Sequence, residues 1–243
     1  IEGIDIMLAI DVSTSMLAED LKPNRLEAAK DVAAEFINGR PNDNIGITLF
    51  AGETFTQCPL TVDHAVLLDM IHNIKCGLIE DGTAVGMGVA NAVTRLKDSK
   101  AKSKVIILLT DGTNNKGDIS PLTAAEIAKS FGIRVYTIGV GTNGMAPYPY
   151  PVGNTVQYIN MPVEIDEKTL TQIAGTTDGN YFRATSNSKL KEVYEEIDKL
   201  EKTKLNVKEY SKREEDYRWF ALAAFLCVLL EVLLRNSILK KIP

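Results

Sequence analysis

Between Ile4 and Leu200 the chain alternates short apolar runs with segments whose apolar residues recur at helical spacing, and this alternation constrains the fold class more than any other feature. Ile4–Ile10 is apolar apart from Asp5, as expected of a strand covered on both faces. Asn24-Arg-Leu-Glu27 resembles a capping box and opens a helix whose Leu26, Ala29, Ala33, Phe36 and Ile37 share one face. The runs 45–50 and 54–60, joined by Ala51-Gly-Glu53, read as a hairpin, so one strand is expected to be antiparallel. Helices are expected at 63–74 and 83–97, a strand at 104–110, a helix at 121–131 opened by Ser120-Pro121, and a strand at 134–138. A last strand near 181–183 leads into a helix with Leu190, Val193, Tyr194, Ile197 and Leu200 at helical spacing. Residues 1–200 are therefore expected to form an α/β domain: a doubly wound, mainly parallel six-stranded sheet with one antiparallel strand and helices on both faces.

Two stretches break the pattern. Thr142–Glu164, with Pro147-Tyr-Pro-Tyr-Pro151, lacks helical periodicity and is long for a connection in a compact domain. It is expected to be a loop that follows a strand's C-terminal end and overhangs that edge of the sheet, with Tyr148, Tyr150 and Tyr158 as candidate partner contacts. The bland alternative is a proline-stiffened flap that only covers the sheet. The other stretch is the tail, where residues 201–216 are densely charged and read as a linker or helix extension. After them, the sixteen residues Trp219–Leu234 would reach roughly 24 Å as a helix, short of a ~30 Å hydrocarbon core. Taken from Tyr217 to Leu239 the segment is long enough for a transmembrane helix, with Glu231 four residues before Arg235 and able to pair with it. Flanking basic residues are nearly balanced and do not set the topology.

The net charge of −5, with no basic stripe, argues against nucleic acid as a partner. The chain starts without Met and almost inside a strand, as expected of a fragment or processed product. Of the three cysteines, Cys227 sits in the apolar tail, while Cys58 and Cys76 are equally compatible with a disulfide and with two buried thiols.

Chemistry concentrates in five oxygen-bearing residues. Asp11, Ser13 and Ser15 lie in Asp11-Val-Ser-Thr-Ser15, Thr83 opens an Ala/Gly-rich helical segment, and Asp111 follows the strand ending Leu-Leu-Thr110. Two strand ends and a helix start can converge at one edge of a parallel sheet, where α/β proteins bind ligands. Hard oxygen donors suit Mg²⁺ or Mn²⁺ rather than zinc or copper. Neutral hydroxyls leave most of the ion's charge uncancelled, so it would accept one more anionic oxygen, such as a partner's Asp or Glu. Each residue alone is equally common as a helix cap, and Thr83 could simply cap its helix.

The combination is another matter. Asp11-x-Ser13-x-Ser15, Thr83 and Asp111 resemble, residue by residue, the metal-ion-dependent adhesion site (MIDAS) of von Willebrand factor A (VWA) domains, and the resemblance covers about residues 4–200. It implies that these five residues hold Mg²⁺ directly or through water. Gly3–Asp11, Ser15–Asp20, Lys22–Lys30, Phe50-Ala-Gly-Glu53 and Gln57-Cys-Pro-Leu-Thr61 further resemble the bacterial aerotolerance-operon (Bat) proteins, the BatA branch in particular. That likeness implies a bacterial inner-membrane protein with its VWA domain in the periplasm, in contact with membrane lipid. It also implies sister VWA/Bat proteins and a MoxR-type AAA+ ATPase as company.

Other motifs carry less. Gly139-Val-Gly-Thr-Asn-Gly144 fits a dinucleotide fingerprint but runs into Met-Ala-Pro-Tyr-Pro, which offers no helix N-terminus for a pyrophosphate. Asp111–Gly117 has Lys116 where a calcium loop needs Gly. The leading expectation is a membrane-anchored, non-enzymatic module whose bound cation captures a partner's carboxylate. A purely architectural metal site and a metal-dependent hydrolase are the alternatives, the latter limited to Glu80 and Asp81 as spare carboxylates and Lys116 as a substrate-facing cation.

Overall fold

The computed structural model describes residues 3–153, 155–211, 221–228 and 231–232. Two compact units are present, Ile1–Glu201 and Lys202–Pro243. The first is built from β1 (Asp5–Asp11), α1 (Arg25–Asn38), β2 (Asn44–Phe50), β3 (Thr54–Thr61), α2 (His64–His72), α3 (Val85–Leu96), β4 (Lys104–Thr110), α4 (Pro121–Ser130), β5 (Ile133–Val140), β6 (Met145–Val152), β7 (Thr155–Pro162), α5 (Glu167–Thr176) and β8 (Tyr181–Ala184), and it ends within α6 (Asn187–Ser211).

The main sheet has six strands in the order β3-β2-β1-β4-β5-β8, all parallel except β3, which pairs antiparallel with β2. The sheet is therefore α/β and mostly parallel, as expected. Alternate residues of β1 point to opposite faces. Met7 and Ala9 enter a core with Val85, Val89 and Leu96 of α3, Ala124 and Ala128 of α4, and Leu170 and Ile173 of α5. Ile6, Leu8 and Ile10 are equally buried on the other face. On α1 and α6, Phe36 and Tyr194 meet with ring centroids 4.9 Å apart. The end of the sheet where β4 and β5 begin is closed by a buried carboxylate, Glu201, which accepts from Ser103 Oγ (2.8 Å), Arg134 Nε (2.8 Å) and Tyr136 OH (2.6 Å).

The structure departs from the sequence expectations at three places in this unit. Thr142–Glu164 is not a loop: it holds the two-stranded antiparallel ribbon β6–β7. Pro147, Pro149 and Pro151 alternate along β6, so their missing N–H groups all fall on one edge of the strand. That edge faces Glu19, whose N–H donates to Pro147 O at 2.8 Å. The ladder to β7 uses the other edge, and the prolines cost it nothing. Second, α5 is an element that the periodicity does not announce, although Asp166 caps it through Thr169 N and Leu170, Ile173 and Ala174 form its buried face. Third, Thr83 neither lies in α3 nor caps it; the helix starts at Val85 with Ala84 in the cap position.

In the second unit, α6 continues through the first part of the charged stretch to Ser211, and residues 221–228 are helical with Leu222, Phe225, Leu226 and Val228 exposed. Among the described residues no helix is long and apolar enough to cross a membrane. Most of the expected 217–239 span lies outside the described residues.

Candidate functional site

The sheet reverses its winding between β1 and β4: β1 leads through α1 to β2 on one side, and β4 leads through α4 to β5 on the other. Such a switch point leaves a crevice at the C-terminal strand ends. Asp11 ends β1 and Asp111 immediately follows β4, so both stand at this crevice.

Asp11 is fully buried. Its Oδ1 accepts from the backbone N–H of Ser13 (2.9 Å), which bends the chain after β1 into a 3₁₀ turn over Thr14–Leu17. Its Oδ2 accepts from the Thr110 hydroxyl (2.6 Å) across the crevice. The turn brings Ser13 Oγ within 3.0 Å of Ser15 Oγ, and Ser15 Oγ donates to Asp111 Oδ1 at 2.7 Å. Four of the five sequence candidates thus form one continuous polar chain.

Thr83 arrives from the far side. Its backbone is fixed by the loop after Asp111: Thr83 N donates to Asn115 Oδ1 (2.9 Å), and Thr83 O accepts from the N–H groups of Asn115 (3.0 Å) and Lys116 (3.3 Å). A Cβ placed on Gly112 would lie 3.2 Å from Thr83 Oγ1, so glycine there lets the Thr83 side chain abut the turn leaving Asp111. Thr83 is 4% exposed, and among the described residues its hydroxyl has no hydrogen-bond partner. It is available to a ligand.

Sequence reasoning missed Arg25, the first residue of α1. Its Nη1 donates to Asp111 Oδ2 at 2.7 Å, while Nε and Nη2 grip both oxygens of Asp20 at 2.7 Å each. The capping-box motif Asn24-Arg-Leu-Glu27 marks the helix start, but nothing in its spacing reveals that Arg25 points into the site. Asp20 also accepts from Thr142 N (2.8 Å) and Oγ1 (3.1 Å), which ties the loop leading into β6 to the same network.

Electrostatics follow from burial. Asp11 is pushed up to about 7, mainly by removal from water and then by the charge of Asp111. Asp111 is also raised by burial, against the pull of Arg25. Asp20, although partly desolvated, is held below the usual carboxylate range by Arg25 and the Thr142 N–H. A buried carboxylate that resists ionisation is one whose charge lacks compensation, and a divalent cation would supply it. The donor set of two carboxylates and three hydroxyls fits a hard cation. Among the described residues no group of three or more His, Cys, Asp or Glu side chains converges.

The neighbouring groups are engaged elsewhere. Asp81 accepts from Thr14 N (3.0 Å) and Thr14 Oγ1 (2.8 Å), and Glu80 is paired with Lys116. Cys58, Cys76 and Cys227 are free thiols. Cys76 lies beside the site with Sγ 3.4 Å from Ser13 O, and burial together with the surrounding carboxylates pushes its thiol up to about 12. It stays protonated.

Of the three tyrosines, Tyr148 and Tyr150 line a cavity of about 290 Å³ whose other wall includes Thr14, Ser15 and Arg25. Tyr158 instead donates to Glu19 Oε1 at 3.0 Å from an exposed position. A cavity of similar size, about 300 Å³, lies between α1 and α6 and touches none of the five candidate ligands.

The family model of the von Willebrand factor type A domain matches residues 5–196. The chain belongs to the VWA family. Among solved structures, this VWA chain is similar to BatB from Bacteroides thetaiotaomicron (34% identity, TM-score 0.72, covering 82% of this chain and 100% of that one). It is likewise similar to an aerotolerance-related membrane protein from Bacteroides fragilis (34% identity, TM-score 0.70, 81% and 100% covered). A more distant VWA structure, proximal thread matrix protein 1 from the mussel byssus with a zinc-occupied MIDAS motif, shares 25% identity at a TM-score of 0.64, over 82% of this chain and 46% of that one. Among sequences, it is 31% identical to a UPF0353 protein of Mycolicibacterium paratuberculosis over 78% of this chain and 58% of that protein. It is 27% identical to an uncharacterized protein of Borreliella burgdorferi over 99% of this chain and 71% of that protein. The VWA and Bat likeness expected from the sequence is thereby established, and one of these relatives, the Bacteroides fragilis protein, is described as a membrane protein.

Proposed function

We propose that this VWA module binds a protein partner through a divalent cation held by Asp11, Ser13, Ser15, Thr83 and Asp111. The observation that carries the reading is the polar chain Asp11–Ser13–Ser15–Asp111 at the switch point, with the unpartnered Thr83 hydroxyl opposite. Bound Mg²⁺ or Mn²⁺ would supply an electrophilic centre for one further anionic oxygen, an Asp or Glu of the partner. The protein's own residues do the rest. Asp11 and Asp111 contribute charge, the hydroxyls contribute neutral donors, and Arg25 fixes Asp111 in place.

The reading is non-catalytic. A hydrolase would need a spare base and a substrate-facing cation, and Asp81, Glu80 and Lys116 are already committed to each other and to Thr14. By likeness to the Bat relatives, the module works in a membrane complex with sister VWA proteins and a MoxR-type ATPase. Residues 217–239 anchor it to the bacterial inner membrane, with the VWA domain on the periplasmic side.

The second reading is architectural: a bound cation would only rigidify a sheet edge that Arg25 already partly holds through Asp111. One experiment separates the two. The full chain, immobilised in detergent beside a Thr83→Ala control, is exposed to membrane and soluble proteins in Mg²⁺ or EDTA. Partners held only by the unmodified chain in Mg²⁺ support cation-dependent capture. Equal retention under all conditions refutes it and favours the architectural role.

A further inference from the structure

The cavity under the β6–β7 ribbon adjoins the proposed cation site. Building on the reading of a cation-held carboxylate, we infer that this cavity is a second, apolar subsite. It takes one large aliphatic or aromatic side chain from the same protein segment that supplies the carboxylate.

Position comes first. Ser15 belongs both to the polar chain ending at Asp111 and to the cavity wall, so the two subsites share a residue and one short segment can reach both. Directly opposed residues of an antiparallel pair share a face. The pairs Ala146↔Met161 and Tyr148↔Ile159 therefore turn one face of the ribbon toward the turn carrying Ser15 and Ala18.

Chemistry comes second. The facing side chains are the aromatic rings of Tyr148 and Tyr150, two aliphatic groups and a thioether. The charged residue in the wall is Arg25, and its Nε, Nη1 and Nη2 all donate within the protein, to Asp20 and Asp111. No uncommitted charge is left there to recognise an ionic ligand, and an apolar occupant is the one that gains by leaving water.

Size comes third. At about 290 Å³ the cavity falls just short of the range of roughly 300–1,000 Å³ that holds drug-sized molecules, and it suits a single side chain better than a cofactor. The wall is also held in place. Pro147 O accepts from Glu19 N (2.8 Å) and Gly144 O accepts from Val163 N (2.8 Å), so the ribbon is fixed at its edge and base. Ile159 and Met161 nevertheless remain 41% and 44% exposed, an apolar surface still to be covered.

The test is selection of a displayed peptide library, with a central Asp or Glu and randomised flanks, on the full chain in detergent with Mg²⁺. The selection is repeated on Ile159→Asp, which places a charge in the cavity wall at an exposed position that leaves the core untouched. The expected result is enrichment of Phe, Leu, Ile or Met at a fixed distance from the acidic residue. Selected peptides should bind the variant roughly 10- to 100-fold more weakly, the equivalent of withdrawing one large apolar side chain from its pocket. The variant should still show Mg²⁺-dependent, acid-dependent binding. Acid- and Mg²⁺-dependent peptides with no apolar preference, or with a preference that Ile159→Asp does not disturb, overturn this inference and leave the cation reading standing. Peptides whose binding ignores Mg²⁺ and the acidic residue, or a failure to select any, overturn both.

Discussion

Arg25 Nη1 donates to Asp111 Oδ2 at 2.7 Å, and the same guanidinium closes two further 2.7 Å bonds on Asp20. The first turn of α1 is thereby bolted to the end of β4. Three charges are removed from water together, and removal of the central one strands two buried carboxylates. Arg25→Met is expected to cost about 3–5 kcal/mol. With the cation competitor gone, added Mg²⁺ should recover part of that loss. Thermal unfolding in EDTA and in Mg²⁺ measures both effects, and a variant as stable as the parent in EDTA would contradict the assigned role.

Thr83→Ala isolates the proposed cation site from the fold. The backbone of Thr83 is held by Asn115 and Lys116 whatever its side chain, so the variant should lie within about 1 kcal/mol of the parent in EDTA. Mg²⁺ at about 100 times its dissociation constant stabilises the parent by roughly 2.7 kcal/mol, or about 5–11 °C in Tm. That shift should be largely lost in the variant. An undiminished shift would remove Thr83 from the ligand set.

Glu201 contributes to the acid limb of stability. It is buried, yet Arg134, Tyr136 and Ser103 hold its carboxyl below the usual range. A depressed folded-state pKa means that the contribution is fully present above the unfolded value of about 4.5 and is lost as pH falls through the lower folded one. Denaturant midpoints should therefore fall as the pH is taken below about 4.5. Glu201→Gln should cost about 3 kcal/mol at neutral pH by leaving Arg134 without its counter-charge, and should make the acid limb shallower.

Gly86 in α3 reverses the usual helix rule. Gly→Ala inside a helix commonly stabilises by about 1 kcal/mol. Here the new Cβ would lie 2.0 Å from Ile119 O, a backbone atom that cannot rotate away. Gly86→Ala should destabilise by about 1–3 kcal/mol or more, visible as a lowered urea midpoint. A stabilised variant would mean that α3 and the loop before α4 are not this close.

Much of this was legible in the residues. β1 and β4 read as buried strands because both faces are covered and nearly every position is apolar. The β2–β3 hairpin and the capped starts of α1 and α4 came from turn and cap chemistry that acts within a few residues. The five candidate oxygens stood out because their order matches a known pattern. The ribbon did not stand out: three prolines read as a loop signal until the register shows that all three missing N–H groups lie on the edge facing Glu19. Helix α5 is hard to see in the sequence because its apolar face is only Leu170, Ile173 and Ala174.

What the sequence determined by itself was the class of fold, through periodicities of two and 3.6 residues, and the identity of the hard donors, through their types and order. What only the tertiary structure decided was which charges and surfaces those donors meet. Arg25 lies 86 residues from Asp111 and Asp81 lies 67 from Thr14, while Tyr148 and Ile159 reach the wall beside Ser15 from a separate ribbon. Local pattern carries no information about such pairings, because they depend on how the strands order themselves across the sheet, and that order is fixed only when the whole core packs.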